Sequence, residues 1–390
     1  MVNSGPVFSE AILKALGQVY GSGELGKVLK AMGEPGLRYY MRVNTLKASR
    51  EQVLERLRDK GIEARPEPRL PEAIYVPVEG PFGLPEANKT VVVDKFTAES
   101  VMMGSHVYVP GVRSFRGVRE GDEVLVVSEL GQPVAFGLAR MDEREVLRAR
   151  RGLAVEVLRS LYKLPPVREL EEFKEGLIYP QSLPSMLVSR VLEPGPGELI
   201  LDMACGPGGK LSHICQITAN GAFVLGFDRS RRKLAATREV LSRLGCEAAL
   251  IRADSRYLDV DFPWLVGKAD RVLIDPPCSA LGVLPKLFDL KTEEELRALA
   301  EYQRQFVKVA ARLVRPGGVV VYSVCTMTVQ ECEEVVGFAV DECGLEVDEQ
   351  PIYLGSRGLK GLIEGAELLQ RFHPHLHGSG YFIARLIRPR

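Results

Sequence analysis

A chain of 390 residues with 46% hydrophobic content can bury two or three cores, at roughly 100–200 residues per domain. Lysine plus arginine and aspartate plus glutamate both total 51, so a nucleic-acid partner must be held by local basic patches and not by the field of the whole molecule. No stretch approaches the ~20 apolar residues of a membrane span, and the start lacks a basic segment leading into an apolar one, so a cytoplasmic protein is expected.

In chain order, residues 7 to 33 and 49 to 61 have helical apolar spacing, with Ser49 as N-cap and Gly61 as stop. Between them "YYMRVNTLK" alternates like a strand, so a small α+β domain is expected, leaving through the Pro-rich "RPEPRLPEA" at 65 to 73. Over 90 to 165, short β-branched runs ("TVVVDKF", "HVYVPGV", "DEVLVVSE", "PVAFGLARM") are separated by turn residues, the pattern of a small β-barrel. Pro165 and Pro166 mark a linker. Beyond it strands and helices alternate: strands are predicted at 198–204, 222–228, 247–254, 269–275, 318–324 and 380–387. That alternation predicts a doubly wound, mostly parallel α/β sheet, which binds ligands beyond the carboxyl ends of its strands. The expected domains are 1–88, 89–165 and 166–390.

The first of these strands runs into "DMACGPGGK" (202–210), where Gly206, Gly208 and Gly209 let backbone approach a ligand and leave N–H groups free at a helix start. It is neither GxGxxG nor a Walker A loop. Asp228 ends the second strand, where an acid commonly takes ribose hydroxyls, and Asp254 ends the third, within reach of an adenine. Acids at consecutive strand ends beside a glycine loop favour a nucleoside ligand. Two cysteines also stand at strand ends, Cys278 in "DPPC" and Cys325 in "YSVCT". A thiolate added to carbon 6 of a pyrimidine makes carbon 5 nucleophilic enough to accept a methyl group. Asp275 is placed to hydrogen-bond the cytosine. Cys205, Cys215, Cys246, Cys332 and Cys343 are read as structural thiols. No CxxC pair occurs, and "HPHLH" at 373–377 lacks a matching carboxylate pattern, so no metal site is expected.

"VLEPGPGELILDMACGPGGK", "DPPCSALGVL" and "YSVCTMTVQECEEVV" together resemble the Nop/Sun-domain RNA cytosine-5 methyltransferases, as do "RVNTLK" (42–47), "GLIYPQSLPS" (176–185) and "HGSGYFIARL". The resemblance implies a Rossmann-like fold and S-adenosyl-L-methionine as cofactor. It implies that Cys325 attacks, that Cys278 assists release, that Asp275 holds the cytosine and that Lys210 faces cofactor or base. The implied cofactor residues are Ala204, Cys205, Gly206, Pro207, Gly208, Gly209, Lys210, Asp228, Arg229, Asp254 and Asp275. Cys205 and Gly206 stand where the family usually has alanines. Leu211 follows Lys210 in place of threonine, Pro285 replaces a common basic residue and Cys332 a common asparagine.

The inserted barrel resembles a PUA domain, an RNA-binding module, through "GSHVYVPGV", "GDEVLVV", "PVAFGLA" and "RGLAVEVL". Arg113, Arg116, Arg119, Arg140 and Lys163 are its expected RNA contacts, with Arg144, Arg148, Arg150 and Arg151 further candidates. This domain order is that of the branch acting on tRNA near the 3′ end of the acceptor stem, so tRNA is the implied partner, with no obligate protein partner evident. Competing readings are a nucleotide-dependent dehydrogenase, disfavoured by the missing GxGxxG, a non-catalytic RNA-binding or assembly factor, and methylation of rRNA.

Overall fold

The computed structural model describes residues 5–390. The largest sheet has nine strands. Five run parallel, in the spatial order Ala249–Arg252, Phe223–Asp228, Leu199–Asp202, Ala269–Ile274 and Val314–Val324. Tyr381–Ile387 then pairs antiparallel with Val314–Val324, and Gln370–Phe372 follows it. All six strands expected here form, because each central one is apolar on both faces. Ile200 and Leu273 pack one way, against Leu187, Ile214 and Leu241 of the helices Leu183–Leu192, Gly209–Ile217 and Arg231–Leu244. Leu201, Val272 and Ile274 pack the other way, against Phe306 and Val335 of Glu293–Leu313 and Glu333–Asp341. Strand order reverses at Leu199–Asp202, which opens a crevice at its carboxyl end between the loops carrying "DMACGPGGK" and "DPPC".

The N-terminal region holds the two expected helices, Glu10–Met32 and Arg50–Asp59. The first is broken at Gly21, whose φ of 59° is left-handed. The second starts on Ser49 in a capping box with Gln52. The expected exit at 65–73 is instead part of the sheet: Arg65–Pro66 is an edge strand and Ala73–Pro77 is its second strand, paired with Arg38–Val43. Proline is tolerated there because an edge strand has one unpaired side. The expected division at 165/166 also differs from sheet membership. Ile178–Pro180, which follows the barrel, closes the other edge on Arg38–Val43, and Val167, Leu177 and Ile178 join the N-terminal core.

The barrel has six strands, ordered Val107–Tyr108, Leu153–Ser160, Pro133–Ala139, Glu123–Ser128, Lys89–Val93 and Val112–Ser114. It leaves and re-enters the N-terminal region at one place, where Glu79 and Lys163 form an antiparallel bridge. Among the described residues no helix is long and apolar enough to cross a membrane.

Candidate active site

Asp275 follows strand Ala269–Ile274 and Lys210 opens the helix after the glycine loop. Their side chains meet across the crevice, Lys210 Nζ standing 2.7 Å from Asp275 Oδ2. The other carboxylate oxygen accepts from Ser323 Oγ at 2.8 Å and from Tyr381 Oη at 3.1 Å. The Lys210 ammonium also lies 5.7 Å from the centre of the Tyr381 ring. Burial works against a charged lysine here, but the Asp275 carboxylate outweighs it and holds Lys210 well above its ordinary range.

The thiols of Cys278 and Cys325 lie beside this pair, 3.3 Å apart, each half-buried. Either sulfur can donate in this contact; with Cys278 as donor it lowers Cys325 against burial and the Asp275 charge, Lys210 adding to the fall, and together with burial it raises Cys278. A buried hub fixes both loops. Glu331 Oε2 accepts from Ser279 N at 2.9 Å and Gln303 Nε2 at 2.8 Å, while the Tyr322 hydroxyl donates to Gln303 Oε1 and to the Glu331 carbonyl. Ser279 Oγ and Thr326 Oγ1, the neighbours of the two cysteines, are 2.6 Å apart. Gly282 N donates to the Cys325 carbonyl, and a Cβ at Gly282 would lie 1.9 Å from the Gly380 carbonyl, so no larger residue fits.

Next to Lys210 and Asp275 is a cavity of about 210 Å³, lined by the glycine-loop residues Ala204, Cys205, Gly206, Pro207 and Gly209. Asp202, Tyr179, Gln181, Ser182 and Ser185 complete its wall. Burial pushes the Asp202 carboxyl up to about 7, with the neighbouring Asp275 and Asp228 adding to the rise. Gly208, at φ 102°, turns the chain into the helix. A Cβ at Gly206 would stand 2.9 Å from Asp228 Oδ2 and 2.7 Å from the Lys233 side chain, which accounts for glycine at that position. Arg42 braces the loop from the N-terminal sheet. Fully buried, it donates to the Gly209 carbonyl and to Ser212 Oγ, each at 2.6 Å, and burial lowers its pKa to about 10.

Residues 189–387 match the family described as 16S rRNA methyltransferase RsmB/F, residues 89–161 a PUA domain, and residues 9–82 the ferredoxin-like domain of RsmF/B-like methyltransferases. A tRNA (cytosine(72)-C(5))-methyltransferase of Pyrococcus horikoshii is 42% identical over 97% of both chains. The crystal structure of NSun6 from that organism with SFG, an S-adenosylmethionine analogue, superposes at a TM-score of 0.90, with 41% identity over 98% of this chain and 99% of the other. The chain belongs to the RsmB/F methyltransferase family. A mouse member, tRNA (cytosine(72)-C(5))-methyltransferase NSUN6, is 30% identical over 83% of this chain and 74% of its own length.

Within the RsmB/F frame, Ala204, Cys205, Gly206, Pro207, Gly209, Lys210 and Asp275 share one cavity. Asp228 lies against Gly206, and Lys233 Nζ is 3.9 Å from its Oδ2. Asp254 is less available: Arg256 takes both its oxygens, at 2.9 and 2.6 Å, and holds its carboxyl below the usual range. The Arg229 guanidinium faces the Tyr302 ring at 5.9 Å. On the barrel, Arg116, Arg119 and Lys163 are exposed. Arg113 faces Asp94 and Glu129, at 3.4 and 3.5 Å, and Arg140 is bound to Glu156. Of the thiols read as structural, Cys205, Cys215, Cys246 and Cys332 are buried, while Cys343 is half-buried. His373 is taken up by Tyr20 at 2.9 Å, His377 accepts from the His373 N–H, and the described residues contain no grouping of three or more His, Cys, Asp or Glu suited to a metal.

Site residues not singled out beforehand are Asp202, Arg42, Tyr179, Gln181, Tyr381, Ser323 and Glu331. The motifs "RVNTLK", "GLIYPQSLPS" and "HGSGYFIARL" were the signal for most of them: the first contributes Arg42, the second Tyr179 and Gln181, and the third Tyr381.

Proposed function

We propose that this protein methylates carbon 5 of a cytosine in tRNA, near the 3′ end of the acceptor stem, through a covalent cysteine–cytosine adduct. The observation carrying the reading is the pair of thiols 3.3 Å apart, adjoining the Lys210–Asp275 ion pair and the glycine-loop cavity. Its support for tRNA is that relatives named for cytosine 72 of tRNA match across nearly the whole chain, barrel included. S-adenosylmethionine fits the cavity by its chemistry: the glycine loop lines it, and Asp228, packed against Gly206, offers acceptors for ribose hydroxyls. Glycine-loop residues 204–210, Asp202 and Asp228 would hold it. When bound, it supplies the methyl group.

The chain's own side chains do the rest. Cytosine leaves its stack to reach the crevice. Cys325, the thiol lowered by Cys278 and Lys210, adds as thiolate to carbon 6, while Asp275 accepts a hydrogen bond from the exocyclic amine and Lys210 offsets negative charge on the ring. Carbon 5 takes the methyl group. Cys278, as thiolate at this stage, then takes the carbon 5 proton; that C–H electron pair restores the carbon 5–carbon 6 double bond, and the carbon 6–sulfur bond breaks to release Cys325 as thiolate.

The test is to incubate bulk tRNA and S-adenosylmethionine with the Cys278→Ala and Cys325→Ala variants and run a denaturing gel. A cofactor-dependent RNA adduct held by Cys278→Ala alone is the expected outcome; an adduct held by Cys325→Ala alone reverses the roles. Because the family matching 189–387 is named for 16S rRNA, rRNA is the second substrate in the same assay.

A further inference from the structure

Asp275 would be able to swing about its own side-chain bonds, yet its carboxylate is held by three donors from three different segments. Lys210 Nζ meets one oxygen at 2.7 Å, and Ser323 Oγ and Tyr381 Oη meet the other at 2.8 and 3.1 Å. A carboxylate offers about four acceptor positions, so three are filled and one is left for an incoming donor. Tyr381 is the member whose position lies outside the loops that carry Asp275, Lys210 and the two cysteines. It sits on the antiparallel strand Tyr381–Ile387, where it pairs with Phe372, and it is buried. Its ring does a second job, since the Lys210 ammonium stands 5.7 Å from its centre. One side chain therefore touches both halves of the ion pair, the acid through its hydroxyl and the lysine through its face.

We infer that Tyr381, with Ser323, is a positioning residue that locks the Asp275–Lys210 pair so that a single acceptor site of Asp275 faces the target base. That open site accepts a hydrogen bond, so it favours a base edge that carries an amine, as cytosine does, over one that carries a carbonyl, as uracil does. The inference rests on the reading of the protein as a cytosine methyltransferase.

The variant that isolates the hydroxyl is Tyr381→Phe, which keeps the ring beneath Lys210. Its kcat on tRNA is expected to fall about tenfold, the usual weight of one hydrogen bond to a charged group. The KM values for tRNA and S-adenosylmethionine stay within error, and the thermal midpoint falls by no more than a few degrees. Ser323→Ala in the same background lowers kcat further. A readout independent of turnover is acetylation of Lys210 by acetic anhydride on the protein alone, followed by peptide mass spectrometry. With the acid less firmly held, Lys210 reacts severalfold faster in Tyr381→Phe than in the native chain. An unchanged acetylation rate overturns the inference whatever turnover does, as does an unchanged kcat in an active native protein. If the native protein methylates neither tRNA nor rRNA, the functional reading fails, and the acetylation rates still decide whether Tyr381 positions the pair.

Discussion

The active-site crevice and the barrel surface hold their charges in opposite ways. In the crevice Asp275, Lys210 and Glu331 are committed to named partners at 2.7–3.1 Å, Glu331 and Lys210 well buried and Asp275 half-buried. On the barrel the candidate RNA contacts are exposed, and Arg113 and Arg140 already have acidic neighbours. The first arrangement concentrates function in a few atoms whose geometry is set by packing. The second spreads it over many weak contacts, each screened by solvent and salt. Single substitutions should therefore be severe in the crevice and mild on the barrel.

The largest effect expected is that of Cys325→Ala, which lowers methyl transfer by on the order of a thousandfold or more, measured as kcat with labelled S-adenosylmethionine. Next is Glu331→Ala. It strands the Ser279 N–H and one of the two N–H donors of the Gln303 amide in the interior, and equilibrium urea unfolding should record a loss of about 2–4 kcal/mol. A smaller effect comes from pH. Burial depresses His213 to about 4, with its ring 2.9 Å from Glu72, so the unfolded chain, titrating at about 6.5, binds the extra proton between these values. Stability from this group is complete above about pH 6.5 and lost as pH falls toward 4, on the order of 3 kcal/mol. His213→Gln should flatten that part of a Tm-against-pH curve. Glu72, depressed by His213 and Arg190 despite its burial, loses its share at still lower pH.

The smallest effects belong to the barrel. Arg116→Ala or Arg119→Ala should weaken tRNA binding only a fewfold and reduce the salt dependence of log Kd by about one. Arg113→Ala should do less, because Asp94 and Glu129 already face that guanidinium. Equal losses at Arg113 and Arg116 would break the contrast between the two regions. A loss above about a hundredfold at one barrel arginine would do so more sharply, since it would mark a single focused contact.

What was legible in the sequence follows the same division. The long β-branched runs of the main sheet have no competing reading, and all six strands form. The two thiols and Asp275 stand out in the sequence because each follows such a run, where this fold collects its ligands, and the fold brings them to one crevice. Short strands were not. Arg65–Pro66 and Ala73–Pro77 lie among prolines that look like a linker, and only tertiary pairing makes them a sheet. Arg42 reads as one more charged residue in a strand of mixed polarity. Its burial is decided by the Gly209 carbonyl and Ser212, more than 160 residues away in sequence. Tyr381 lies in the motif "HGSGYFIARL", but its contact with Asp275 emerges only when the fold brings the carboxylate to its hydroxyl.

The strand Ile178–Pro180 has a consequence for the order in which the chain can be assembled during synthesis. It completes a sheet whose other strands end at Pro77, and the barrel is threaded between the two. The first sheet to leave the ribosome thus lacks one edge strand until the barrel has been made, and the barrel core in turn takes in Leu287 and Phe288 from far downstream. The Glu79–Lys163 bridge holds the two ends of the barrel together, so the chain leaves it beside the sheet whose last edge it then supplies.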